Sequence, residues 1–232
     1  MFSLQAAQRW RITARNPMKF PFVRLACLLA LLAGAEAVRA DTIIFDNLNT
    51  TNNGFRGTSA TSWDAQRFNS DAINLLLTSA TLNLSVNPGA GTFFLRLYSD
   101  VAGQPGSAIA TFYDGPSLGS GAIAFNNLNQ VLLPSTNYWL VLGENPGSTL
   151  AVNWGITSTL TGTGSGFQTN AGLTTNSGVN WQTFTNVPYQ TQLTATVVPE
   201  PSVAFLSGVG LVVLVVLKRR HIRSASHSTT RA

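Results

Sequence analysis

The side chains of this sequence that could do chemistry are few, and most lie between positions 41 and 198. They are four tryptophans, Trp63, Trp139, Trp154 and Trp181, and seven carboxylates. A flat indole can stack on a sugar ring, so the tryptophans raise carbohydrate binding. Aromatic rings also fill β-cores. Trp139, inside the apolar run Tyr138-Trp139-Leu140-Val141-Leu142, and Trp154 read as core, whereas Trp63 and Trp181 have polar neighbours and stand open between packing and glycan contact. Asp100 or Asp114 with loop carbonyls could hold calcium, which takes clustered oxygen ligands. No EF-hand or other aspartate-dense loop accompanies them, and turn aspartates usually cap their own backbone. Glycoside hydrolysis needs two carboxyl groups at a set separation, and seven acids could hide such a pair. Glu144, the one glutamate of the segment, sits in Gly-Glu-Asn-Pro-Gly and reads as turn chemistry.

Residues 41–198 contain no Cys, His, Lys or Met. A Ser-His-Asp or Cys-His device needs an imidazole base, and zinc sites normally use His or Cys. The expectation is therefore a non-enzymatic domain without metal or cofactor, and without an internal disulfide. Gly162-Thr163-Gly164-Ser165-Gly166 lacks the spacing and β-α context of a nucleotide loop. The formal net charge of +5 belongs to the ends. Residues 1–40 carry six basic residues against one acid, and 199–232 carry five against one. Between them, three arginines face the seven acids, so no basic footprint for nucleic acid exists there.

The positioning elements are strands. Leu82-Asn83-Leu84-Ser85-Val86 alternates cleanly, and Phe93–Tyr98 and Tyr138–Leu142 are apolar on both faces. Further strands are expected at 42–46, 65–69, 73–77, 107–113, 129–133, 149–156 and 190–198, separated by turn signals such as Asn87-Pro88-Gly89 and Asn145-Pro146-Gly147. Spacing of roughly ten residues without a helical period argues an all-β, jelly-roll-like antiparallel β-sandwich. Residues 157–180 are glycine-rich and poor in large apolar side chains, which predicts a long surface loop or an irregular insert.

Both flanks read as addresses. Leu25–Ala35 is an apolar run after Lys19 and Arg24, followed by small residues, the pattern of a secretory signal peptide over 1–40 with cleavage between Ala40 and Asp41. Met18-Lys19-Phe20 would begin an ordinary signal, so Met18 is the expected initiator. At the other end, Val198-Pro199-Glu200-Pro201 precedes fifteen largely apolar residues, Val203 to Leu217, including Leu206, Leu211 and Leu214. The cluster Lys218, Arg219, Arg220 and Arg223 follows. The run would be about 22 Å long as a helix, short of a 30 Å hydrocarbon core unless the basic stems snorkel. The basic end fixes it as cytoplasmic, with 224–232 as a cytoplasmic tail and the domain outside.

The V-P-E-P motif, apolar helix and arginine-rich end together resemble a PEP-CTERM sorting signal, a tail also named for ice-binding proteins. The resemblance implies Sec export, transient retention in the inner membrane, cleavage by an exosortase, and delivery to the cell surface of an exopolysaccharide-producing bacterium. As an address it lends no support to ice binding. Within the domain, Phe45-Asp46-Asn47-Leu48, Leu77–Leu82, Leu95–Asp100 with Gly103–Gly106, and Thr136–Leu142 are similar to the choice-of-anchor R family. That family implies an extracellular β-sandwich without an assigned activity. The resulting expectation is a secreted surface or matrix protein with a structural or adhesive role in an exopolysaccharide or biofilm setting. Its alternatives are a carbohydrate-binding module using Trp63 and Trp181, and a cryptic glycoside hydrolase.

Overall fold

A computed structural model describes residues 41–198. The signal segment with Met18 and Ala40, the motif residues Pro199, Glu200 and Pro201, the apolar run, the basic cluster and the tail lie outside the described residues. Twelve strands form: β1 (Thr42–Asp46), β2 (Gly54–Gly57), β3 (Trp63–Asn69), β4 (Leu75–Asn87), β5 (Phe93–Val101) and β6 (Gln104–Gly115), then β7 (Gly121–Leu132), β8 (Asn137–Glu144), β9 (Ala151–Ile156), β10 (Ala171–Thr174), β11 (Gln182–Phe184) and β12 (Thr191–Val197). Among the described residues there is no helix.

The strands make two antiparallel six-stranded sheets. One runs β1-β12-β4-β9-β2, with β7 also paired to β4; the other runs β11-β10-β3-β8-β5-β6. Their inner faces share one core. Leu75, Leu77, Ala80, Leu82 and Leu84 of β4 meet Phe93, Leu95 and Leu97 of β5 and Leu140 and Leu142 of β8. Period-two alternation puts these residues on one face of each strand. Trp154 stacks on Tyr189 within that core, with ring centroids 4.6 Å apart.

Two stretches expected as separate strands, 73–77 and 82–86, join into the thirteen-residue β4. Their apolar parities disagree, odd in the first and even in the second. A register shift at Thr78 absorbs the difference: Leu77 pairs with Gln130 and Ala195, whereas Ser79 pairs with Asn126 and Thr194. The extra residue turns the second half so that its leucines still face inward. The expected strand at 129–133 is the end of β7, whose alanine-rich and polar first half carries little apolar pattern. Asn127 and Asn129, both at positive φ, interrupt its pairing with β4.

The expected loop at 157–180 is corrected in its second half, where β10 pairs with β3 and buries Ala171. Its glycines bring backbone against backbone rather than giving slack. The Gly166 N–H donates to Ile44 O at 2.7 Å and its carbonyl accepts from the Asn69 N–H at 3.0 Å. A Cβ on Gly166 would run into the Asn69 carbonyl. Gly164, at φ +98°, is held against Ile44 and Phe45 in the left-handed region that glycine tolerates.

Candidate functional site

The outer face of the second sheet gathers the tryptophans of interest. Trp63, Ala65 and Arg67 of β3, Phe94, Tyr98 and Asp100 of β5, and Trp139 and Val141 of β8 point away from the shared core. Ala65, Phe94, Tyr98, Trp139 and Val141 make a second, smaller apolar cluster with Trp181, and Trp63 packs against it. Trp63 and Trp181 are thus brought into one cluster. Trp181 is buried there, whereas Trp63 is only partly buried. Trp181 is 8% exposed, and half-buried Trp63 meets the Phe94 ring edge-on at 4.9 Å. Gly143 and Gly178 lie so close to Trp63 that a Cβ at either would collide with the indole. Both indole N–H groups are buried without an acceptor among the described residues. Trp139 and Trp154 are fully buried, donating to Asp100 Oδ1 at 2.7 Å and to the Gln190 carbonyl at 3.1 Å.

Asp100 and Asp114 stand near opposite ends of β5 and are not brought together: Asp100 pairs with Pro105, and Asp114 with Phe94. Asp100 receives the Arg67 guanidinium at 3.0 Å and the Gly103 N–H at 3.2 Å. Asp114 receives Arg96 at 3.3 Å and the Asn145 amide at 2.6 Å, while the Arg96 guanidinium lies 3.9 Å from the Phe94 centroid. Among the described residues no group of three or more His, Cys, Asp or Glu could hold a metal ion.

Two other acids hold the unusual positions. Asp64 of β3 points into the core and is fully buried. Its Oδ1 accepts the Tyr189 hydroxyl at 2.6 Å and lies 3.4 Å from Arg56 Nε; its Oδ2 has no partner among the described residues. Desolvation raises its pKa to about 7, against the lowering effects of the Tyr189 hydroxyl and Arg56. The same burial, with the adjacent carboxyl, holds the Tyr189 phenol well above its usual range.

Glu144 is not a turn residue, contrary to the sequence reading. It ends β8, is buried, and accepts the Val152 N–H at 3.0 Å and the Thr58 hydroxyl at 2.9 Å. Burial raises its pKa, and the Val152 and Thr58 hydrogen bonds oppose that rise. Asp64 faces Leu142 across the β3–β8 pair, so Glu144 is its diagonal neighbour on the same inner face. An acid pair with raised pKa values is what general acid–base chemistry uses. Here both carboxyls are almost fully buried, Asp64 at 0% and Glu144 at 1% exposure. Asp64 gave no sign in the sequence, because its chemistry comes from burial beside Tyr189, 125 positions away.

A surface cavity of about 310 Å³ lies between the turn that follows β1 and the 161–163 segment. Asp46, Asn47, Asn49, Thr50, Thr161 and Thr163 supply a polar lining. Its wall is fixed by hydrogen bonds within the chain. Asp46 and Thr163 exchange backbone bonds at 2.8 Å, and Asn47 Oδ1 accepts the Thr191 N–H at 2.7 Å. The Asp46 carboxylate accepts from the Leu48 N–H and from the Gln192 amide.

No family model and no curated protein matches this chain.

Proposed function

We propose that the chain is an exported, non-catalytic surface or matrix protein whose 41–198 domain serves a structural or adhesive role in an exopolysaccharide setting. In this reading Sec exports the precursor, residues 203–217 hold it in the inner membrane, and an exosortase acts at Val198-Pro199-Glu200-Pro201. The domain is read as a jelly roll with additions. Strands β2 to β9 fall into two four-stranded rows, β2-β9-β4-β7 and β3-β8-β5-β6, and β1, β12, β10 and β11 extend them.

The observation that carries the non-catalytic part is where the reactive groups are spent. Asp64, Asp100, Asp114 and Glu144 are engaged by donors of the domain itself, and Trp181 is buried in the outer cluster with Trp63 packed against it. The decisive experiment is fractionation of the producing cells with mass spectrometry of the mature C-terminus, with and without the exosortase. The reading expects a surface form ending near the PEP motif only when the enzyme is present. A surface form that keeps Lys218 to Arg223 would make this a plain tail-anchored protein.

A further inference from the structure

Apolar side chains on the surface of the domain are not spread evenly between its two ends. Ile73, Val101, Leu133 and Val197 lie at the end from which the chain leaves at Val198, with Val131 one row above, and all five are between 41% and 59% exposed. Register places most of them side by side. Leu75 of β4 pairs with Leu132 of β7 on one side and with Val197 of β12 on the other. Leu133 therefore flanks the start of β4 from one side and Val197 from the other, with Ile73 just ahead of it. Val198 continues this edge, its N–H donating to the Asn74 carbonyl at 3.0 Å. Val101 sits in the β5–β6 turn of the facing sheet, at the same end, because Ser99 pairs with Tyr138 near the start of β8. At the opposite end the exposed large apolar residues are Leu118 and Val179, and Ile43, Phe55, Ile109 and Leu160 are exposed singly elsewhere.

We propose that this end is a bilayer-contacting surface, through which the domain rests on the outer leaflet of the membrane that holds its precursor. The proposal rests on the reading of 203–217 as a membrane anchor. Val198 and Val203 are five residues apart, a reach of roughly 17 Å at most, so the apolar end cannot be far from the interface that the anchor enters. Contiguous apolar surface on a soluble domain marks contact with protein or membrane, and the place where the chain leaves selects the membrane. The attraction is apolar rather than electrostatic. Residues 41–198 have no lysine, Arg67 is paired with Asp100, and Asp41 and Asp71 are acids at this end. Contact with lipid should therefore be insensitive to salt, unlike a polybasic docking site.

The test uses the full chain, with Cys27 replaced by alanine and a nitrobenzoxadiazole label on Leu133→Cys or, as a control, on Leu118→Cys. Each is reconstituted in phosphatidylcholine vesicles with or without nitroxide-labelled acyl chains. The expected result is about a twofold loss of fluorescence at position 133 in nitroxide-labelled vesicles, little change at 118, and the same contrast at low and high salt. Vesicle flotation separates the two layers of the argument. A chain that floats but shows no quenching at 133 overturns the bilayer contact alone. A chain that does not float overturns the anchor and the contact together. If Leu133→Cys does not fold, Ile73→Cys reports on the same surface with the same expectation.

Discussion

Tyr189 donates its hydroxyl to Asp64 at 2.6 Å between the two sheets, joining the segment before β12 to the inner face of β3. Arg56, reaching in from β2 with its guanidinium 5.2 Å from the Phe184 centroid, is the cation beside them. The second carboxylate oxygen has no partner among the described residues. Ionising Asp64 therefore places a poorly compensated charge in an apolar core.

That relationship sets the sign of a pH dependence. The native pKa of Asp64, about 7, lies above the ordinary aspartate value of 3.8 that the unfolded chain approaches. The folded state thus holds this proton more tightly, and its stabilising effect is full below pH 4 and lost as pH rises through 7. At about 1.4 kcal/mol per unit of pKa difference, the domain should be a few kcal/mol less stable at pH 7.5 than at pH 4 from this group. Urea unfolding at the two pH values measures it. Asp64→Asn should flatten the dependence, and an equal slope in that variant would assign the effect elsewhere.

Glu144 supplies the acceptor for the Val152 N–H that a neighbouring strand would otherwise provide. Glu144→Ala leaves this buried donor unpaired and should cost about 1–3 kcal/mol at neutral pH. Glu144→Gln keeps an acceptor and removes the ionisable carboxyl, so it should stay within about 1 kcal/mol of the parent. Chemical denaturation of both variants distinguishes the structural tie from a charge effect. A Gln variant as unstable as the Ala variant contradicts this account.

Trp181 is covered by its own domain, so its removal should be felt in stability before binding. Trp181→Ala should lower stability by about 3 kcal/mol through the cavity it leaves. Retention on native polysaccharide gels should match the parent under conditions where both remain folded. If Trp181→Ala and Trp63→Ala instead lose retention at unchanged stability, the indoles stack on glycan and the carbohydrate-binding alternative gains.

Gly166 passes the backbone of β1 and the end of β3 too closely for a side chain. Gly166→Ala must displace one of these segments and should cost about 1–3 kcal/mol. It should also raise the rate of limited proteolysis within 157–170. A variant cleaved no faster than the parent would mean that this segment is a loop, as composition alone suggests.

Strand content and the main core positions were legible because they depend on local pattern. Leu82, Leu84 and Val86 alternate with polar residues, and Tyr138–Leu142 carries apolar side chains on both faces because clusters lie on both sides of β8. Strands β2, β10 and β11 were not legible. Each has three or four residues, and β2, β10 and β11 hold places in the sheets through partners such as Trp154, Gln66 and Gly172 respectively rather than through their own periodicity. The tryptophans divide along the same line: Trp139 and Trp154 sit in apolar strands that announce burial. Trp63 and Trp181 sit in polar sequence, and only the packing of Phe94, Gly143 and Gly178 covers Trp63.

By itself the sequence determined an all-β domain poor in catalytic side chains, acidic between two basic flanks, because composition and period-two patterning are properties of neighbouring residues. Tertiary structure alone decided which carboxylates are unusual. Asp64 and Glu144 owe their raised pKa values to loss of water and to partners that only the pairing of the sheets supplies. Charge counts carry no information about that. The same distinction applies to the apolar rim around Val198, whose members come from four stretches of chain and come to one end only when the strands pair.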